Sequence, residues 1–431
     1  MSKEKNKNYI FENDILRHES YLNRFTASLF NEFDSKAETL NLRLKIEDLI
    51  NGKKVNYSED QAAWHPKYRE WHEDYVNSLQ YPSMDFKNII VLGIGGSFEG
   101  PKLLIESLCQ PADEPTNHIF ITGSDPNEFK EKIHNLDPQE TVFIVSSKSF
   151  TTDETINTLK DAIKWSGNMD SFIAITSNKK EASKYHIKHI VEFAKEIGGR
   201  YSIWSEIHLP AIYGSNSLFD PNTFLKGGHQ ADLDLQNNKE YLKFIKTLSF
   251  SDIWLNNYEG KNSRAVLSYS WKLRSFADYV QQLEMESLGK QPSKHSEYKN
   301  TGQIIFGGYG PTAQHSYFQL LHQGTQNICA DIIASREDSQ SLSYAQAITQ
   351  AKLLSSGADD LLKDEEKING NIPVNLFLLN KIDSFSMGYL IATWEHRTYL
   401  TAAMLQINPF DQFGVSAGKA YTKKYLHEHG D

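Results

Sequence analysis

From about residue 87 onward the chain alternates short apolar runs with longer stretches of helical spacing, as βαβ units around a parallel sheet require. Five runs occur between residues 88 and 193, and further runs follow from residue 265. They are Asn88–Leu92, His118–Thr122, Thr141–Val145, Phe172–Thr176 and His189–Phe193, then Ala265–Tyr269, Gln303–Phe306, Asn327–Ile332 and Pro373–Leu379. The alternation predicts an α/β fold of two domains side by side, each with a mainly parallel sheet.

The ends of the chain and the connection between the domains show different patterns. Phe11, Ile15, Leu22 and Phe25 fall near helical spacing, which predicts a helical N-terminal segment that packs on the second domain. A Pro/Gly/Asn-rich stretch over 210–228 breaks the periodicity and predicts a domain connection. The predicted division is an N-terminal helical segment 1–80, a first domain 81–215, a second domain 216–408 and a C-terminal helical segment 409–431.

Charge and cysteine content limit the partners and the compartment. Among 431 residues, 45 are Lys or Arg and 55 are Asp or Glu, a formal net charge of −10. An acidic surface argues against nucleic acid and anionic membranes as partners, and no apolar run has the length of a membrane span. Two cysteines without Cys-x-x-Cys spacing and a charged N-terminus without a signal sequence predict a cytoplasmic protein with reduced thiols.

A glycine-rich turn, Gly93–Ser97, follows the first run and precedes a helical stretch that begins near Pro101. Backbone N–H groups at such a turn can bind an anion at the helix N-terminus, although the glycines can equally serve tight packing. The dinucleotide fingerprint needs glycine where Phe98 stands, and the P-loop sequence Gly-Lys-Ser/Thr is absent. A nucleotide-dependent enzyme is therefore not supported.

A second loop, Ser146–Thr155, places six hydroxyl groups around Lys148 after the run Thr141–Val145. Thr151 and Glu154 have capping-box spacing, which predicts a helix start there. Hydroxyls, backbone N–H groups and one ammonium suit the oxygens of a phosphate monoester. The alternative is an ordinary Ser/Thr-rich surface turn. Since both loops end strands of one parallel sheet, they lie at the edge where open α/β sheets bind ligands.

Three further positions carry groups suited to acid/base chemistry. A predicted helix from Ser275 to Glu286 puts Gln282 and Glu286 on one face, where Glu286 is either a general base or a solvated carboxylate. Arg200 follows two glycines and is free to project toward an oxyanion. His315 precedes a helical stretch 316–323, whose dipole would keep the imidazole neutral.

Histidine pairs with ligand-like spacing occur at His186/His189 and at His427/His429. Neither pair has the cysteine or carboxylate cluster that would complete a metal site. We therefore predict no metal site. His322 lies on a face similar to that of His315 and is interpreted as a core or capping histidine.

Taken together, six sequence blocks resemble, in chain order, the signatures of the glucose-6-phosphate isomerase family. They extend from residue 93 to residue 419, about three quarters of the chain. The blocks are Gly93-Ile-Gly-Gly-Ser97, Ser147-Lys-Ser-Phe-Thr-Thr-Asp-Glu-Thr155, Gly198-Gly-Arg-Tyr-Ser-Ile-Trp-Ser205, Gln281-Gln-Leu-Glu-Met-Glu-Ser287 with Gly289-Lys290, Gln314-His315 with His322-Gln-Gly-Thr325, and Phe410-Asp-Gln-Phe-Gly-Val415 with Gly418-Lys419.

The resemblance implies two αβα sandwich domains of the sugar-isomerase (SIS) type, a homodimer, no cofactor, and interconversion of glucose 6-phosphate and fructose 6-phosphate. It implies a base, Glu286, and an arginine that stabilises the enediolate, Arg200. His315, reaching into the neighbouring subunit, and Lys419 would open the sugar ring. The substrate-binding residues that it implies are Gly96, Ser97, Ser147, Lys148, Ser149, Thr152, Gln282 and Gln412.

The chain departs from the family pattern at several positions. Ser149 stands where threonine is common, Glu99 where an apolar residue is usual, Leu288 for a usual asparagine and Gly308 for a usual glutamate. The last three can alter affinity without removing a named catalytic group. Two alternatives remain open at this point: a non-catalytic sugar-phosphate sensor, and an isomerase that also accepts mannose 6-phosphate.

Overall fold

The structure, a computed structural model, describes residues 9–22, 24–79, 86–109, 116–213, 217–358, 360 and 363–429. The predicted domain boundaries at 80/81 and 215/216 lie outside the described residues. The strands are β1 Tyr9–Glu12, β2 Leu16–Tyr21, β3 Lys54–Asn56, β4 Gln61–Ala62, β5 Asn88–Leu92, β6 Asn117–Ile121, β7 Thr141–Ser146, β8 Phe172–Thr176, β9 His189–Glu192, β10 Ser263–Ser268, β11 Ile304–Tyr309, β12 Ile328–Ser335 and β13 Val374–Leu379.

Helices surround these strands. They are α1 Ala27–Thr39, α2 Leu42–Ile50, α3 His65–Glu70, α4 His72–Ser78, α5 Gly96–Leu108, α6 Pro126–Ile133, α7 Asp153–Ser166, α8 Lys179–Ser183, α9 Leu209–Ile212, α10 Pro221–Asn237, α11 Lys239–Asn257, α12 Phe276–Leu288, α13 Gly310–Gln314, α14 Phe318–Gln323, α15 Leu342–Ser356, α16 Ser384–Leu405 and α17 Phe413–His429. In the part of the chain that the structure describes, no helix is both long and apolar enough to cross a membrane.

Two large sheets confirm the predicted α/β class. The first has the order β6-β5-β7-β8-β9 and is parallel throughout. The second has the order β1-β2-β13-β12-β10-β11, in which β10 to β13 are parallel. Each predicted apolar run overlaps one of these strands. The central strands β5, β7 and β8 are buried along their whole length, and strands buried on both faces read as continuous apolar segments.

Burial on both faces of each sheet accounts for the layered architecture. Along β5, Ile89 and Val91 enter one hydrophobic core, and Ile90 and Leu92 enter another. Side chains of a strand point alternately to opposite faces, so both faces of the first sheet are covered. The second sheet divides its side chains in the same way between two cores. Both sheets are thus middle layers of αβα sandwiches.

The N-terminal segment differs from the prediction, because residues 9–21 form a β-hairpin and not a helix. Strand β2 pairs antiparallel with β13, with Leu16 opposite Leu379, and β1 pairs with β2 at the sheet edge. The consecutive polar residues His18, Glu19 and Ser20 of β2 are all buried. His18 bonds Asn375 at 3.1 Å, and burial lowers the pKa of its imidazole to about 4. The local sequence carries no strand signal here, because polar residues occupy these buried positions.

The predicted domain connection over 210–228 is also wrong in its second half. Asp220 caps α10 by accepting from the N–H groups of Asn222 and Thr223, and Pro221 opens the helix. The glycines inside α10 serve close packing: a Cβ on Gly227 would lie 1.9 Å from the carbonyl oxygen of Phe385 in α16. The first half of the stretch includes residues 214–216, which lie outside the described residues.

The C-terminal end combines a buried helix with an exposed one. Nearly all of α16 is buried, and Arg397 on it pairs with Asp252 at 2.6 Å and with Asp331 at 2.7 Å, as buried charges require. The following helix, α17, lies within the predicted segment 409–431, and all of its residues are exposed. The predicted boundary at 408/409 falls in the loop that joins these two helices.

Candidate active site

The glycine loop after β5 brings three segments of the chain together. Helix α5 begins at Gly96, five residues before the predicted start at Pro101. A Cβ on Gly96 would lie 1.8 Å from the carbonyl oxygen of Gly199, so this contact needs glycine. Ser97 lies half-buried in the first turn of α5. The loop before Arg200 therefore lies directly against the N-terminus of α5.

The hydroxyl loop after β7 is held by hydrogen bonds among its own residues. The Ser147 hydroxyl lies 3.2 Å from that of Thr152 and accepts the N–H of Phe150 at 3.1 Å. Ser149 accepts the Thr151 hydroxyl at 2.8 Å. The predicted capping box is not formed, because the N-cap of α7 is Thr152 and not Thr151. Its side chain makes no capping bond, which leaves a hydroxyl cluster at a helix N-terminus, an arrangement suited to an anion.

Lys148 provides the cation of this loop. Its main chain is fixed, since the carbonyl oxygen accepts from the Thr176 and Ser177 hydroxyls at 3.1 and 2.9 Å. Burial lowers the pKa of its ammonium group, and the nearby Glu59 and Glu196 carboxylates partly oppose this. In the described part of the chain, none of the ion pairs involves Lys148. The ammonium group is therefore available to a ligand.

Arg200 is the most constrained of the predicted site residues. It is only 3% exposed, and its Nε donates to the Ser287 hydroxyl at 2.9 Å. Nη1 donates to Gln412 Oε1 at 3.1 Å, and Nη2 donates to the carbonyl oxygens of Pro409 and Asp411 at 3.0 and 2.7 Å. These bonds fix the plane of the guanidinium group.

Glu286 and Gln282 share one face of α12, as the spacing predicted. Gln282 Nε2 donates to Glu286 Oε2 at 3.2 Å. The other oxygen, Oε1, lies 3.2 Å from Arg200 Nη1. Helix α12 ends at Leu288 with Gly289 as C-cap, which confirms the predicted stop. The carboxylate is thus held by one amide and one guanidinium group while its side chain remains 24% exposed.

Two cavities meet at Gln412. One, of about 530 Å³, is lined by Lys148, Ser149, Thr152 and Gly199. The other, of about 670 Å³, is lined by Glu286, Lys290 and Asp411 among others. The hydroxyl loop and the carboxylate–guanidinium pair therefore border neighbouring cavities. Each cavity is large enough for a small ligand.

His315 and Lys419 lie apart from this group. His315 is exposed and lines neither cavity. It is the C-cap of α13, since residues 310–314 form a helix where a loop was predicted, and it lies two residues before Tyr317, the N-cap of α14. Lys419 is exposed on α17 and also lines neither cavity. Lys423 on the same helix lies 3.5 Å from Asp153 at the start of α7.

Several residues of the site were not identified from the sequence. Asn56, Glu59 and Gln61, in and around the β3–β4 hairpin, line the cavity that contains Lys148. Lys290 and Asp411 form an ion pair of 3.1 Å beside Glu286. The hairpin residues belong to no motif, so no local signal could have found them. Lys290 and Asp411 each stand within one of the quoted sequence blocks. Their place in those blocks was the only sequence signal that they belong to the site.

The structure also places His322 and the positions at which the chain departs from the family pattern. Glu99 is half-buried, and burial raises the pKa of its carboxyl group to about 7. Leu288 is buried at the end of α12, and Gly308 lies on β11. His322 bonds Gln350 at 2.8 Å, in accord with a structural role. Among the described residues no group of three His, Cys, Asp or Glu side chains is arranged to hold a metal ion.

Known proteins resemble the chain over most of its length. The family model described as phosphoglucose isomerase matches residues 80–430. The glucose-6-phosphate isomerase of Legionella pneumophila (strain Paris) is 32% identical over 419 residues, which cover 89% of this chain and 84% of the relative. That of Ectopseudomonas mendocina (strain ymp) is 34% identical over 456 residues, with coverage of 90% and 81%. The chain belongs to the phosphoglucose isomerase family.

The fold agrees with this membership. The crystal structure of a glucose-6-phosphate isomerase from Chlamydia trachomatis superposes with a TM-score of 0.85 at 23% identity, covering all of this chain and 92% of that one. The resemblance seen in the six sequence blocks is therefore confirmed at the level of the family. The predicted fold of two αβα sandwich domains is confirmed with it.

Proposed function

We propose that this chain interconverts glucose 6-phosphate and fructose 6-phosphate with Glu286 as the proton-transferring base. Membership of the phosphoglucose isomerase family makes the chain an aldose–ketose isomerase. The observation that carries the mechanism is the contact of 3.2 Å between Glu286 and the buried Arg200 beside an open cavity. A base next to a fixed cation is the arrangement that proton abstraction next to a carbonyl group needs.

The chemical step moves one proton from C2 to C1 and one hydroxyl proton from O2 to O1, and it needs no external electrons. After ring opening, Glu286 takes the proton from C2 of the aldose, and the C2–H bonding pair forms the double bond of an enediolate. The guanidinium group of Arg200 stabilises the negative charge that develops on oxygen. The same carboxyl group returns the proton to C1, which yields the ketose. Arg200 needs no reorganisation during this step, because its donors are already fixed by Ser287 and the 409–412 loop.

The hydroxyl loop would hold the phosphate. Ser147, Ser149, Thr152 and the Lys148 ammonium group supply donors, and at the N-terminus of α5 Gly96 adds its backbone N–H group and Ser97 its hydroxyl. Gln282 and Gln412 would line the sugar pocket between this loop and Glu286. Binding energy from the non-reacting phosphate then orients C1 and C2 at the base.

Ring opening is assigned to His315 and Lys419, with His315 supplied by the second subunit of a homodimer. The exposure of His315, away from the chain's own cavities, supports this assignment. Co-expression of Glu286→Gln and His315→Ala chains tests it. If the sites are shared, mixed dimers of these two inactive variants recover part of the wild-type turnover. Absence of recovery in purified mixed dimers contradicts the assignment.

We assign the chain to the cytoplasm, because free cysteines are typical of proteins in a reducing compartment. Cys109 is half-buried, Cys329 is buried, and both are free cysteines. A small sugar phosphate is the only partner that the site requires besides the second subunit, and the acidic chain gives no reason to add nucleic acid or a membrane.

Turnover of purified protein tests the proposal directly. Fructose 6-phosphate is supplied with a chelator and without nucleotide, and glucose 6-phosphate is detected through its coupled oxidation. Steady turnover is expected. A protein that binds fructose 6-phosphate without converting it would be a sensor, and the proposed function would be wrong. The same assay with mannose 6-phosphate decides whether that sugar is a further substrate.

A further inference from the structure

Asp411 contacts two cations of the site, Arg200 and Lys290. Its carbonyl oxygen accepts from Arg200 Nη2 at 2.7 Å and also from the Lys290 ammonium group. Its carboxylate Oδ1 lies 3.1 Å from Lys290 Nζ, while Oδ2 accepts the Ser58 hydroxyl at 2.9 Å. The residue is only 8% exposed. Backbone and side chain of Asp411 are therefore both engaged.

The N-terminal β3–β4 hairpin holds the loop that carries Asp411. Asn408 Nδ2 donates to Asn56 Oδ1 at 2.9 Å and to the Ser58 hydroxyl at 2.8 Å. Asn408 Oδ1 in turn accepts the N–H of Phe410 at 3.0 Å. The loop 408–412 is thus bonded to the hairpin on one side and to Arg200 on the other.

The position of Arg200 depends on that loop. Three of its acceptors, the carbonyl oxygens of Pro409 and Asp411 and Oε1 of Gln412, belong to the loop. From the side of α12, the guanidinium group contacts the Ser287 hydroxyl and the Glu286 carboxylate. A shift of the loop would therefore move the cation relative to Glu286, and misplacement by about 1 Å can cost on the order of a hundredfold in rate.

We propose that Asp411 is a positioning residue, and that through Ser58 the N-terminal hairpin aligns Arg200 with the developing enediolate. The inference rests on the proposed function and adds to it a segment that lies outside the matched family region of residues 80–430. Lys290 takes part by pairing with the Asp411 carboxylate, since its Nζ lies 3.1 Å from Asp411 Oδ1.

Two substitutions and one control test the proposal. Asp411→Asn keeps the shape and the backbone carbonyl but removes the charge that pairs with Lys290. Ser58→Ala removes one bond to the carboxylate and one from Asn408. Tyr57→Phe is the control, because Tyr57 is 74% exposed on the same hairpin. Steady-state kinetics are measured with fructose 6-phosphate, and thermal unfolding is recorded for each variant.

The expected result is a fall in kcat of about 10- to 100-fold for Asp411→Asn and of several-fold for Ser58→Ala, with KM within about twofold of wild type. Binding of a phosphorylated sugar acid, whose carboxylate imitates the enediolate, should weaken by the same factor as kcat. Binding of the corresponding polyol phosphate, which lacks that carboxylate, should not change. Ser58→Thr, which keeps the hydroxyl, should restore kcat.

Two results overturn the inference while the proposed function stands. In one, wild type turns over and Asp411→Asn and Ser58→Ala behave like Tyr57→Phe. In the other, the variants lose thermal stability but bind the sugar acid and the polyol phosphate with unchanged relative affinity, which identifies a purely structural contact. If Asp411→Asn does not fold, the comparison of kcat between Ser58→Ala and Ser58→Thr tests the proposal in its place. A wild type without turnover refutes the proposed function itself, and the inference with it.

Discussion

The guanidinium group of Arg200 lies 3.2 Å from the carboxylate of Glu286, and the two groups differ in how much freedom they have. Arg200 is 2% exposed in its side chain and Glu286 is 24% exposed. The cation is held by side-chain and backbone acceptors, whereas the carboxylate opens to a cavity of about 670 Å³. A fixed electrostatic group beside an accessible base is preorganised for a developing oxyanion.

Glu286→Gln is expected to lower kcat by about 10²- to 10⁴-fold, because the amide cannot accept the C2 proton. The amide oxygen can still accept from Gln282, so the helix face should remain intact. Binding of a phosphorylated sugar acid, measured by calorimetry, should persist. Glu192→Gln, an exposed carboxylate on β9, is the control. A variant that keeps near wild-type turnover would show that another group is the base.

Arg200→Lys keeps the charge but is expected to lower kcat by about 10²- to 10³-fold. One ammonium group cannot satisfy the acceptors on Ser287, Pro409 and Asp411 together. The unpaired buried acceptors should also cost about 2 kcal/mol of unfolding free energy, measured by urea denaturation. Arg43→Lys, at an exposed position, is the control and should change neither quantity. Unaltered kcat in Arg200→Lys would contradict the assigned role.

Lys148→Met should raise the KM for fructose 6-phosphate by about 10- to 100-fold, as expected for a lost charged hydrogen bond. Because burial lowers the pKa of the Lys148 ammonium group, the wild-type KM should begin to rise at a lower alkaline pH than an ordinary lysine would give. That rise should be absent in Lys148→Met and present in Lys179→Met, an exposed lysine at the start of α8. Parallel pH profiles in all three proteins would contradict the prediction.

Glu99→Gln should stabilise the protein at pH 8 and leave it unchanged near pH 4.5. Burial raises the pKa of the Glu99 carboxyl group to about 7, above its ordinary value, so the folded state favours the protonated form. The stability that this group contributes is complete below about 4.5 and is lost as pH rises through about 7. Since the side chain is partly exposed, the expected gain at pH 8 is about 1 kcal/mol. Urea denaturation at both pH values measures it, and an equal effect at each pH would refute it.

Much of the fold could be predicted locally. The apolar runs correspond to the parallel strands of both sheets, because a strand between two layers of helices is mostly apolar. The helix that carries Gln282 and Glu286, with its stop at Gly289, was also predictable from spacing and glycine. The hydroxyl loop was identified, although its capping residue is Thr152 and the Thr151 hydroxyl bonds Ser149 instead.

Other features depend on partners far away in the chain. Burial of His18 in β2 is possible because Asn375 bonds its ring, and the glycines of α10 make sense only against Phe385 of α16. Neither partner can be read from the local pattern, so a hairpin was predicted as a helix and part of a helix as a connection.

The sequence by itself determined the chemical groups of the site and the strands and helices that carry them, since those follow from residue type, spacing and apolar periodicity. Only the tertiary structure decided how they are held: Asp411 bonds Arg200, Lys290 and Ser58 at once, across separations of more than 350 residues in the last case. Hydrogen bonds depend on distances of about 3 Å between atoms. Those distances are set by the packing of the whole chain.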